Sequence, residues 1–140
     1  MASWMVHLRI ADKLLEALSV TAPVEFIVGN LAPDSGVPNE DWSAFSPPTI
    51  ISHFKTGTDK AGPEAFAEKY FRPEQRQSYS DSQFAFYLGY LSHLITDRLW
   101  SEKIARPTLK QYAKEDAPDR EPFIWQIKED WYDQIGRAHV

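Results

Sequence analysis

Phe84-Ala-Phe-Tyr-Leu-Gly-Tyr-Leu-Ser-His-Leu-Ile-Thr-Asp-Arg-Leu-Trp100 decides the fold. Wound at 3.6 residues per turn it is apolar on nearly every side, which predicts a helix buried at the centre of its domain. Ser80 followed by Gln83 supplies a capping box that satisfies free amides at its start. Gly89 lies four residues before His93, where the missing side chain lets another backbone or a ligand approach. His93 and Asp97 are again four apart, so both project from one face. A carboxylate in such a helix is costly unless it is paired or bound to metal. The bland alternative is an ion pair from Asp97 to Arg98 or Arg9.

Upstream of this helix, Pro63 to Phe71 reads as another, with Pro63 in its first turn and Pro73 just beyond its end. The stretch from Leu31 to Gly62 contains Pro33, Pro38, Pro47 and Pro48 and excludes long helices. Trp42, Phe45, Ile50, Ile51 and Phe54 are too apolar for disorder, so a packed, functional loop is expected. Pro23 suits the first turn of a short helix over Val24 to Asn30. At the start, Trp4, His7, Leu8, Ala11, Leu15 and Leu18 share one face of an amphipathic helix, with Arg9, Asp12, Lys13 and Glu16 opposite. His7 therefore points inward.

Downstream, Ser101 to Ala105 reads as a helix ending before Pro107, and Phe123 to Gln134 as a further one. Its rings, Phe123, Trp125, Trp131 and Tyr132, call for a partner that continued sequence would supply. Ile135-Gly-Arg-Ala-His-Val140 corresponds to one reading frame of a common sequencing-adapter oligonucleotide. Residues 135–140 are therefore expected to be a non-native tail, and His139 carries no weight. Residues 1–134 are expected to form one domain, incomplete at its C-terminus. With no strand alternation, repeat or low-complexity tract, the fold class is all-α.

Composition narrows the chemistry. The net charge of −5 argues against a general nucleic-acid interface, which needs a basic face. The absence of cysteine excludes disulfides and thiolate metal sites, leaving His, Asp and Glu as ligands. Nothing approaches a membrane span or an export signal, so a cytoplasmic protein is expected.

Taken singly, the candidate ligands have ordinary explanations. His7 could be a satisfied core histidine, Asp34 in Gly29-Asn-Leu-Ala-Pro-Asp34 a turn residue, and His53 a loop histidine. Together they are harder to dismiss, because all three histidines outside the tail sit among apolar residues. Three imidazoles and two carboxylates make a nitrogen–oxygen ligand set suited to zinc or a similar divalent ion.

The order His7 on an opening amphipathic helix, Gly29-Asn-Leu-Ala-Pro-Asp34, Ser52-His-Phe54 and Leu88-Gly-Tyr-Leu-Ser-His-Leu-Ile-Thr-Asp97 resembles the zinc-dependent phospholipase C family. It is closest to that family's small bacterial hydrolase branch, and the resemblance runs from Met5 to about Gln134. It implies an all-helical fold, one to three zinc ions, and hydrolysis of a phosphodiester or phospholipid head group by metal-activated water. Asp34, His53, His93 and Asp97 would complete one zinc site, and Asp97 would bridge to a second ion held by His7. Asp34 would also orient or deprotonate the water. Trp42, Phe45 and Tyr90 could wall the cleft, though core packing is the simpler job for Tyr90.

Two departures stand out. The family's secreted phospholipases use an N-terminal tryptophan as a ligand, whereas Trp4 here lies behind Met1, Ala2 and Ser3. They also carry two further histidines and a glutamate after the central helix, and no histidine follows Asp97 before the tail. Besides a phosphoesterase with a small-molecule or lipid substrate, a non-catalytic metal-stabilised module and a single-strand nuclease stay open.

Overall fold

The computed structural model describes residues 2–41, 43–55 and 61–112. Among these the elements run α1 (Trp4–Ala17), α2 (Pro23–Leu31), a 3-10 turn (Ala32–Asp34), β1 (Val37–Pro38), β2 (Phe45–Ser46) and α3 (Thr49–Ser52). Then follow α4 (Pro63–Tyr70), α5 (Pro73–Ser78), α6 (Asp81–Trp100), a π-helical turn (Ser101–Ala105) and α7 (Arg106–Tyr112). The chain divides into two compact units, residues 1–103 and 104–140. The fold is all-α apart from the antiparallel β1–β2 ribbon, which the sequence did not announce. No described helix is long and apolar enough to cross a membrane.

In the first unit, α6 is the central helix. Its N-terminus carries the expected capping box: Ser80 Oγ accepts from the Gln83 amide at 3.2 Å, and Gln83 Oε1 accepts from the Ser80 amide at 3.0 Å. One stripe of α6 is buried, running Ala85, Gly89, Ser92, His93, Thr96 and Asp97. Its small first half packs against α2 and its polar second half carries the chemistry. The contact with α2 is close because glycines face each other's backbones. A Cβ at Gly29 would overlap the Phe86 carbonyl, and one at Gly89 would overlap the Phe26 carbonyl. Only glycine permits that approach.

Two apolar clusters flank the stripe. One joins Ala11, Phe26 and Ala85, with Leu14, Leu15 and Leu88 packed around them. The other joins Ala61, Phe66 and Leu94, where Phe66 stacks on Tyr90 and meets Phe54 edge-on. Phe26 and Phe66 are both fully buried, worth about 1.5–3 kcal/mol each in removed apolar surface.

Several expectations about burial need correction. Helix α6 is not covered all round, since Ile95 and Leu99 are exposed. Trp4 is 55% exposed and Leu18 also lies outside, so α1 is fully buried at His7 and Ala11, with Leu14 and Leu15 partly covered beside them. Phe45, Ile50 and Ile51 are exposed, and of the loop's large apolar residues named above Phe54 joins a cluster. Their hydropathy reported a preference for burial, but the short ribbon and α3 are too small to cover them.

In the second unit, Thr108 Oγ1 bonds the Ile104 carbonyl at 2.7 Å. The expected helix over Ser101 to Ala105 is the π-helical turn, and Pro107 does not stop it, since α7 follows directly with Pro107 as its second residue. Trp42, the expected helix over Phe123 to Gln134 and the tail lie outside the described residues.

Candidate metal centre

All five expected residues converge in the first unit. His7 comes from the first turn of α1, Asp34 from the end of the 3-10 turn, His53 from the residue after α3, and His93 and Asp97 from α6. The three imidazoles and Asp97 are buried, and the Asp34 side chain retains 13% exposure, the most of the five.

His53 Nε2 stands 3.2 Å from Asp34 Oδ1, 3.4 Å from Asp97 Oδ2 and 3.4 Å from His93 Nε2. His93 Nε2 stands 3.8 Å from each of Asp34 Oδ1 and Asp97 Oδ2. Ligands at ~2.0–2.1 Å on a tetrahedral zinc are separated by about 3.3 Å, so these spacings are near those of one coordination shell. Asp97 turns its other oxygen, Oδ1, to His7 Nε2 at 3.3 Å. Its carboxylate thus spans the gap between His7 and the His53–His93 pair. Two groups of donors lie close enough to hold an ion: Asp34, His53 and His93, and His7, His93 and Asp97.

The orientation of each ring has a local cause. The backbone carbonyl of Asn30, at the end of α2, accepts from His93 Nδ1 at 2.7 Å. The ring's proton is therefore on Nδ1 and its lone pair on Nε2, facing the cluster. Ser52 Oγ lies 2.9 Å from His53 Nδ1, and Tyr90 donates to the Ser52 carbonyl at 2.5 Å. Immediately after His53, Phe54 adopts φ 51°, a left-handed conformation that a bulky residue takes only when its surroundings hold it there. Its ring, clasped by Phe66, Tyr70 and Tyr90, provides that hold.

Electrostatics agree with the packing. Burial pushes the carboxyls of Asp34 and Asp97 up, but adjacent imidazoles outweigh it and both end below their ordinary value. For Asp97 the Ala2 amide, donating to Oδ1 at 2.8 Å, adds to the effect. Burial would lower the pKa of His53, yet hydrogen bonds to Asp34 and Asp97 raise it. Burial, then the neighbouring His7, lower His93 to about 4.

The cluster also contains atoms with unmet needs. His7 Nε2 approaches Asp97 off the direction of a hydrogen bond, and neither ring nitrogen of this buried histidine has a hydrogen-bond partner among the described residues. Buried polar atoms are rarely left so. A cation among three imidazoles and two carboxylates would meet that need, and the donor set fits zinc or another divalent metal. The bland alternative for Asp97 does not hold: Arg98 turns to the Ala61 carbonyl and Glu64, and Arg9 lies exposed.

Trp4 lies largely in solvent, and the Ala2 amide rather than its ring reaches Asp97. Phe45 is exposed, and Tyr90 packs in the core with its hydroxyl on the Ser52 carbonyl. Asn30, Ser52 and Ser92 were overlooked as parts of the site. Asn30 and Ser52 lie inside the motifs that carry the resemblance, but their role is partly through main-chain carbonyls, which leave no mark in sequence.

A family model described as zinc dependent phospholipase C matches residues 6–100, which includes all five site residues. No curated protein and no solved structure matches the chain.

Proposed function

The chain belongs to the zinc-dependent phospholipase C family, and on that premise we propose that it is a metal-dependent hydrolase of a phosphoester, with a phospholipid head group as substrate. The observation that carries the proposal is the meeting of His53 Nε2 and His93 Nε2, 3.4 Å apart, between the carboxylates of Asp34 and Asp97. In this reading Asp34, His53, His93 and Asp97 hold one divalent ion. His7 and Asp97 Oδ1, with His93 beside them, would hold a second.

A bound divalent ion supplies Lewis acidity toward a phosphoryl oxygen and brings the pKa of water toward ~7. The protein's own part is orientation and exclusion of bulk solvent. Asp34 combines the greatest exposure of the five with a lowered pKa, so its carboxylate stays ionised at the edge of the cluster nearest solvent. It therefore accepts a hydrogen bond and aligns the attacking water, and is less suited to storing a proton. Asp97, His7 and His93 are closed off and act as a fixed frame. No serine or cysteine nucleophile is required.

A lipid is favoured over nucleic acid by what lies beside the site. Ile50 and Ile51 of α3 are 60% and 62% exposed, three and two residues before buried His53. From Ala44 to Phe54 the chain has no Asp, Glu, Lys or Arg, which suits an uncharged surface better than a phosphate backbone.

The test is turnover by purified, metal-replete protein on phosphomonoesters, phosphodiesters, phospholipids and single-stranded nucleic acid, with zinc, manganese and cobalt. Activity on phospholipid, abolished by chelator and restored by metal, is expected. Turnover of single-stranded nucleic acid alone would move the assignment to a nuclease. Metal binding with no turnover of any ester would leave a non-catalytic module.

A further inference from the structure

Asn30 is completely buried and makes two bonds to consecutive residues of α6. Its carbonyl accepts from His93 Nδ1 at 2.7 Å, and its side-chain Nδ2 donates to Ser92 Oγ at 2.8 Å. The Ser92 hydroxyl donates its single proton to the Gly89 carbonyl at 2.7 Å, so toward Asn30 it presents a lone pair. The chain of donors therefore has one direction: Asn30 to Ser92 to Gly89. One residue's main chain and side chain are thus pinned side by side, which fixes the tilt of the peptide whose carbonyl meets His93.

Stability alone does not account for an asparagine here. Its Oδ1 is buried with no hydrogen-bond partner among the described residues, a state that costs free energy. An apolar side chain of similar size would avoid that cost. What it could not do is hold the Asn30 peptide in register with Ser92. The close α2–α6 approach makes that register tight, since a Cβ at Gly89 would also lie 2.9 Å from the Asn30 nitrogen.

We propose that Asn30 and Ser92 are positioning residues for His93: their side-chain bond fixes the carbonyl that keeps the proton on Nδ1 and leaves Nε2 free to hold metal. This rests on the reading of His93 as a metal ligand. Neither residue touches the ion or the substrate; both act through the Asn30 peptide and the His93 ring. Outer partners of this kind change metal affinity by about 10–100-fold when removed.

Cobalt(II) is the probe, added to the full chain as wild type, Ser92→Ala and Asn30→Leu. The expected result is a loss of cobalt affinity of about tenfold or more in both variants. It should come with an altered ligand-field spectrum and faster solvent exchange of the His93 Nδ1 proton in the metal-free protein. The metal-free Asn30→Leu protein should be at least as resistant to denaturant as wild type, which a merely structural role would not give. Ser92→Thr, which returns the hydroxyl, should recover the wild-type spectrum. Wild-type protein that binds no cobalt would overturn the metal site and this proposal together. Wild-type binding with unchanged affinity and spectrum in Ser92→Ala and Asn30→Leu would overturn the positioning role alone. Failure of both variants to fold would likewise overturn it, by making the bond structural.

Discussion

His7 and His93 lie face to face, ring centroids 3.8 Å apart and planes within 4° of parallel. Stacked imidazoles cannot both carry charge without repulsion, and His7 is the largest influence after burial in lowering His93 to about 4. His93 is therefore neutral at ordinary pH, the state in which imidazole binds metal. His93 belongs to both candidate donor groups, whereas His7 belongs to one.

That asymmetry separates the two residues by experiment. His93→Ala should strip the protein of metal, and His7→Phe, which keeps ring and volume, should lose one equivalent and retain the other. Elemental analysis after exhaustive dialysis measures both. Full metal content in His93→Ala would reduce the cluster to core histidines.

Gly89→Ala should be severely destabilising, because the added Cβ meets the Phe26 carbonyl and not a side chain that can rotate away. Overpacking of this kind costs about 3 kcal/mol where backbone must shift. In a unit of this size that is a fall in Tm of about 10 °C or more, read by thermal melts in chelator. Gly29→Ala should do the same through the Phe86 carbonyl, and wild-type melting in either variant would contradict the close crossing.

The sequence was most informative where a local rule had only one outcome. The capping box at Ser80 and Gln83, the i, i+4 pair of His93 and Asp97, and Gly89 one turn before His93 needed only helical periodicity. Asp34 and His53 reach the same point through a ribbon, a 3-10 turn and a left-handed Phe54, none of which has a period to read. They entered the ligand set through residue type and apolar surroundings alone, and the family resemblance supplied their assignment to one zinc site. The exposure of Trp4, Ile95 and Leu99 was illegible for a different reason: hydropathy states what a side chain prefers, not whether a neighbour exists to cover it. Asn30 was missed because an accepting carbonyl belongs to every residue.

Metal-free protein should be most stable near pH 6.5. His53 has its pKa raised above the ordinary 6.5, so its contribution is complete below 6.5 and is lost as pH rises through the folded value. His93 is lowered from 6.5 to about 4, so the unfolded chain takes up its proton first and stability falls as pH drops through that window. Asp34 and Asp97, both depressed from 3.8, add a further loss at still lower pH. Denaturant midpoints across pH 4 to 9 in chelator test this, and a monotonic profile would contradict it.

Asp34→Asn should damage turnover more than metal content. The amide keeps the shape of the side chain and one oxygen that can face an ion, but removes the charge that aligns a water. A loss of about 10²-fold or more in kcat is expected, with most bound metal retained. Loss of metal in proportion to activity would make Asp34 a ligand and nothing more.

The exposed isoleucines beside His53 set the last expectation. Ile50 and Ile51 project from α3 while Ser52 and His53 of the same turn are buried, so a surface contacted by the two isoleucines lies within a few residues of the metal donors. If the substrate sits in a lipid surface, burying two such side chains there should contribute at least one factor of ten, since a buried isoleucine is worth about 1.5–3 kcal/mol. The double variant Ile50→Ser, Ile51→Ser should therefore lose about tenfold or more in kcat/KM on zwitterionic vesicles. It should keep its rate on a short-chain phospholipid below its micelle concentration, because the metal donors are untouched. With no Asp, Glu, Lys or Arg from Ala44 to Phe54 and His53 buried, the vesicle rate should also be insensitive to salt. Equal losses on vesicles and on the monomeric substrate would show that the substitutions disturb His53 itself, and no loss on either would remove the lipid surface from the argument.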